Sequence, residues 1–106
     1  MSDLSKRADG FEKKFAHDEE LRFKAGARRN KKLGLWAAEK LGKSGAAAEA
    51  YARDVVASDF EEAGDEDVFR KVRQDFDAAG VAQSDHQIRR TMDELMSAAI
   101  EEIRKG

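Results

Sequence analysis

No proline interrupts this chain of 106 residues, so no position loses its backbone donor or is barred from a helix interior by a fixed ring. Ala, Glu, Lys, Arg and Leu recur throughout and lose little rotamer freedom in a helix. Glycines supply the punctuation, at Gly42 and Gly45, then Gly64, then Gly80, and no stretch alternates apolar and polar residues as a strand would. The expected fold is all-α, a small four-helix bundle with a long N-terminal helix, over roughly 3–41, 46–62, 66–79 and 85–104.

Each of the last three segments carries one apolar face. In the fourth, Ser84 and Gln87 form a capping box, and Ile88, Met92, Leu95, Ala99 and Ile103 follow at helical intervals. The third opens on Asp65, Glu66 and Asp67, whose charge suits a helix N-terminus, and its seam is Phe69, Val72, Phe76 and Ala79. Gly80 suits a left-handed closing residue. The second presents Ala48, Tyr51, Ala52, Val55, Val56 and Phe60.

The first segment is different. Leu33, Leu35, Trp36, Ala37 and Leu41 are dense enough to join a core, with Trp36 expected to bury the largest area. Before them, Leu4, Ala8, Phe11 and Phe15 make only a narrow seam, and residues 22–32 offer almost no apolar face. An unbroken helix over 3–41 would span roughly 60 Å, so about half of it lacks an expected partner in its own chain. A seam of this kind suits docking on another protein. Gly10 opposes a preformed helix, which fits an arm that is mobile when free and orders on binding. The chain divides into a docking arm over 1–20 and a four-helix domain over 21–106.

Charge follows the same division. Residues 1–32 hold ten basic and six acidic side chains, net +4, against −6 for the remainder of a chain whose total is −2. Such a layout steers a basic segment toward an acidic surface. Nucleic acid is not expected as the partner, since Asp18-Glu19-Glu20 adjoins the basic patch and the pI is near 5.7. A helical nucleic-acid-binding or self-associating module is the alternative reading.

Composition removes several classes. With no cysteine there is no disulfide framework and no thiolate metal cage. No apolar run approaches the roughly 18 residues of a membrane span, and Met1-Ser2-Asp3-Leu4-Ser5-Lys6 lacks a signal-peptide core, so a cytoplasmic protein without membrane insertion is expected. Gly42-Lys43-Ser44 imitates the end of a P-loop, but Ala37 stands where that motif needs its first glycine and no strand precedes it. Some weak nucleotide contact on the bundle is left open. The acidic run Asp59, Glu61, Glu62, Asp65, Glu66, Asp67 fails as a calcium loop, with Ala63 at the fifth place and Arg70 at the twelfth, and reads as a solvated junction. His17 and His86 stand far apart and support no zinc site. His17, beside Asp18 and Glu19, is expected to tune the arm between roughly pH 6 and 7. No nucleophile and base pair is legible, no cofactor is expected, and the chain does not read as an enzyme.

Longer blocks carry a resemblance. Phe15-Ala16-His17-Asp18-Glu19-Glu20-Leu21-Arg22-Phe23-Lys24-Ala25, Ala27-Arg28-Arg29-Asn30, Leu33-Gly34-Leu35-Trp36-Ala37-Ala38-Glu39 and Asp59-Phe60-Glu61-Glu62-Ala63-Gly64-Asp65-Glu66-Asp67-Val68 resemble the zeta-subunit family of alphaproteobacteria, associated with inhibition of the F-type ATP synthase. The resemblance implies an inhibitory subunit that docks on the alpha and beta subunits of the catalytic head. Its N-terminal helix would enter an alpha/beta interface and block rotation of the gamma subunit in the hydrolytic direction. It places the protein at the periphery of the inner membrane through the synthase. Carried over by position, the partner-binding residues are Leu4, Phe11 and Phe15 as apolar anchors, Lys6, Arg7, Lys13 and Lys14 as charge contacts, and His17. Arg22, Arg28 and Arg29 would lie at the mouth of the interface.

Overall fold

The computed structural model describes residues 2–59 and 65–105, with side chains from Glu20 onward. Four helices follow in order: α1 (Ser2–Lys40), α2 (Gly45–Ala57), α3 (Glu66–Ala79) and α4 (Asp85–Lys105). The expected pattern holds, with one shortened element. The second helix, expected to reach residue 62, stops at Ala57, where Ser58 donates its hydroxyl hydrogen bond back to the Val55 carbonyl at 2.6 Å. Phe60, Glu61, Glu62 and Gly64 lie outside the described residues.

Two glycine closures set the helix ends. At Gly42 the φ of 78° lets Lys43 donate its N–H to the Ala38 carbonyl (2.8 Å) and Gly42 donate to Glu39 (3.1 Å). At Gly80, φ 70°, the same pair recurs from Val81 to Phe76 (2.9 Å) and from Gly80 to Asp77 (3.3 Å). These are Schellman closures, and the first accounts for Gly42-Lys43-Ser44 without a phosphate. The capping box forms as expected: Ser84 donates its N–H to Gln87 Oε1 at 2.8 Å, and Gln87 donates its own to Ser84 Oγ at 3.1 Å.

The core gathers Leu33, Ala37, Val55, Val68, Val72, Phe76, Ile88 and Met92 from all four helices. Phe76 and Leu33 are the largest fully buried side chains, each contributing about 1.5–3 kcal/mol through removal from water. Trp36, expected to bury the largest area, is partly buried against this core, its ring 5.6 Å from that of Phe76 at 62°. Val68 takes the inner place at the start of α3 that periodicity assigned to Phe69, and Ala79 is exposed at the helix end.

α1 and α2 form a hairpin that is tightly packed at Gly34. A Cβ there would stand 2.5 Å from the Ala52 Cα and 3.3 Å from the Val55 Cβ, so only glycine lets the two backbones approach this far. α3 and α4 form the second hairpin. Arg73 joins them, donating to the Gln83 carbonyl at 2.6 Å and pairing with Asp77 and Asp85 at 2.6 and 3.1 Å. Arg89 lies 4.0 Å over the Phe69 ring and pairs with Glu66 at 2.8 Å.

Tyr51 fastens the hairpins to each other by donating its hydroxyl to Asp75 Oδ2 at 2.8 Å, with the Lys71 ammonium 5.2 Å from the ring centre. Burial, then the hydrogen bond and negative charge of Asp75, then the charge of Asp54, push the phenol far above its ordinary value. The fold therefore holds the neutral phenol. Its contribution is complete below the unfolded pKa of about 10 and is lost as pH rises beyond it. This is the chain's one tyrosine, so the expectation is direct: in an alkaline titration, near-ultraviolet phenolate absorbance should appear only together with loss of helical circular dichroism. Ionisation while the helices remain intact would show that the Tyr51–Asp75 bond does not hold.

Candidate functional site

Local helix geometry decides which side chains of α1 are available. Ala25, Arg29 and Leu33 follow at intervals of four, share one face, and are all buried. The stretch 22–32, expected to offer almost no inward face, thus has one built from a methyl group and two polar side chains, Arg29 at 6% exposure and Asn30 at 1%.

The buried pair is satisfied within the chain. Arg29 donates its Nε–H to Asn30 Oδ1 at 2.7 Å and approaches Asp65 at 3.8 Å. Asn30 donates from Nδ2 to Asp59 Oδ2 at 3.0 Å, and Asp65 also approaches Arg89 at 3.7 Å. Both described ends of the α2–α3 connection are therefore tied to α1. Asp59 and Asp65, read from sequence as part of a solvated junction, are half-buried members of this network. A buried guanidinium needs such partners, since unpaired burial of charge is costly.

The outer face of α1 is basic. Arg22, Lys24, Arg28 and Lys31 are exposed, with Lys24 paired to Glu20 at 3.2 Å. Glu102 of α4 accepts Lys32 at 2.6 Å and lies 4.0 Å from Arg28. Phe23 stands among them at 82% exposure. Between α1 and α2 an open depression of about 270 Å³ is lined by Lys31, Glu49, Ala52, Arg53 and Val56. It holds two cations and one carboxylate.

Of the residues expected to bind a partner, Arg22 is exposed, Arg28 is about half-exposed and leans toward α4, and Arg29 faces inward because its register is that of Ala25 and Leu33. The backbone of Leu4, Lys6, Arg7, Phe11, Lys13, Lys14, Phe15 and His17 belongs to α1; their side chains lie outside the described residues. Sequence reasoning missed Phe23, Asn30 and Asp59. Phe23 had one signal, an aromatic out of phase with the Leu4, Phe11 and Phe15 seam.

A long helix with a basic outer face, packed at one end into a three-helix remainder, also carries a family signature: the model for ATPase inhibitor subunit zeta matches residues 1–102. The chain belongs to that family. The zeta match spans α1, α2, α3 and most of α4, so it covers every residue expected to bind a partner. A protein whose structure was solved in solution by NMR is 49% identical to this zeta chain, with a TM-score of 0.71, over 80% of this chain and 96% of its own. No curated protein matches. The family's role is regulatory, inhibition of an ATPase, which implies interaction with the ATP synthase. Among the described residues no helix is long and apolar enough to cross a membrane.

Proposed function

We propose that this zeta chain binds the catalytic head of the F-type ATP synthase and blocks ATP hydrolysis by inserting the N-terminal part of α1 at an alpha/beta interface. The observation that carries the proposal is α1 itself. It is one helix of 39 residues, yet the described core begins only at Ala25. About 35 Å of helix, at 1.5 Å per residue, therefore precedes the first buried position among the described side chains. Within that length Leu4, Phe11 and Phe15 recur on one face, and the first 32 residues carry net +4.

In this mechanism residues 1–20 are the docking arm, with Leu4, Phe11 and Phe15 seated in apolar pockets and Lys6, Arg7, Lys13 and Lys14 meeting acidic groups. Arg22 and Arg28 meet the mouth of the interface. Arg29 acts from within, holding the α2–α3 connection against α1. A helix lodged between alpha and beta subunits opposes the closure that rotation of gamma requires. Attachment of the chain to the synthase would place it at the inner membrane without insertion into lipid.

Adding the purified chain to the synthase of its own organism tests this. The expected result is a saturable fall in ATP hydrolysis together with co-sedimentation with the enzyme head. Unchanged hydrolysis at saturating protein, with no co-sedimentation, would reject the proposal.

A further inference from the structure

We infer that Phe23 is a second anchor, distinct from the inserted arm, seated in an apolar recess with an acidic rim on the synthase head. This rests on the function proposed above and extends it to a surface that the arm does not include.

Single exposed apolar side chains are common and usually mean nothing. Three features separate Phe23 from that background. Among the described residues it is the one large apolar side chain that is exposed, at 82%. The positions one turn further on, which normally shield a ring on a helix surface, are Gly26 and Ala27. A Cβ at Gly26 would meet nothing within 4 Å, so packing within the chain does not require glycine there, and a helix interior disfavours it. The result is an aromatic ring beside a flat backbone floor, a surface a partner can approach closely.

Charge identifies the partner's character. Among the described side chains of this stretch Arg22, Lys24, Arg28 and Lys31 are exposed and Glu20 is the one acid, with Asp18 and Glu19 preceding it in sequence, and Arg22 and Lys31 make no ion pair among the described residues. A second copy docking face to face would bring these like charges together. An acidic rim around an apolar recess matches them. Continuity supplies the location, because Phe23 follows the arm on the same unbroken helix and lies about 6 Å, four residues, beyond residue 19.

The test compares the full chain with Phe23→Ala and Phe23→Leu. An aromatic anchor in a desolvated pocket is a typical interface hot spot, so Phe23→Ala should raise the half-inhibitory concentration by about 10- to 100-fold. Full inhibition should still be reached at saturation, because the arm is intact. Phe23→Leu should recover most of the loss, and both variants should keep the wild-type thermal midpoint. Three results would overturn the inference: Phe23→Ala inhibiting as well as wild type, Phe23→Ala lowering the midpoint by several degrees, which would mean the ring packs within its own chain, or a wild-type dimer in sedimentation that Phe23→Ala dissolves. A wild-type chain that neither binds nor inhibits removes the proposed function and this inference together, whereas an inhibitory wild type equalled by Phe23→Ala removes only the inference.

Discussion

Deleting residues 1–19 should abolish inhibition of ATP hydrolysis at concentrations where the full chain saturates, while the remaining helices unfold at nearly the same temperature. The two halves of this result have separate causes. Leu4, Phe11 and Phe15 all leave with the deletion, and each 1.4 kcal/mol of anchoring lost lowers affinity about tenfold. Stability survives because every described core residue lies at or after Ala25. Hydrolysis assays and thermal circular dichroism on the same preparation decide it. A truncated chain that inhibits at unchanged concentration would move the inhibitory element into the bundle.

The largest effect on folding is expected at Gly34. On an open helix surface Gly→Ala gains up to about 1 kcal/mol. At Gly34 the new methyl group meets the Ala52 Cα at 2.5 Å and the Ala52 Cβ at 3.0 Å, and a backbone atom cannot rotate aside. The hairpin must open, so the whole core shared by α1 and α2 loosens. Overpacking of this kind costs about 1–3 kcal/mol, which outweighs the propensity gain and lowers the midpoint by about 5–15 °C in a domain of this size. Gly34→Val should prevent a cooperative transition altogether. Gly26→Ala is the internal control: its Cβ meets nothing, so the same exchange in the same helix should raise the midpoint. Denaturation curves in which both alanine variants shift alike would show that α1 and α2 do not cross at Gly34.

Helix positions were legible from sequence because their determinants are local. Ser84 with Gln87 marked one start, Gly80 one stop, and Ile88, Met92 and Ala99 one buried face, and each is found as read. The α1–α2 crossing was not legible. Gly34 reads as a weak helix residue until Ala52 is known to lie against it, and that information is tertiary. The polar network failed to register for a related reason. Arg29 and Asn30 look like solvated helix residues in a basic run, and their burial depends on Asp59 and Asp65, some 30 residues away, supplying acceptors.

The outline of the molecule, 63 × 25 × 22 Å, has one further consequence for the proposed mechanism. Its long dimension comes from α1, about 58 Å at 1.5 Å per residue, and its width from the other helices packed against one end. A single helix with its side chains is about 10–12 Å across, so a crevice shaped to admit that helix is too narrow for the body behind it. The bundle would act as a stopper. How deep the arm's anchors sit would then be set by the number of residues between Phe15 and the bundle, and inserting or removing a turn of helix there would shift each of those anchors relative to its pocket without altering a single contact inside the bundle.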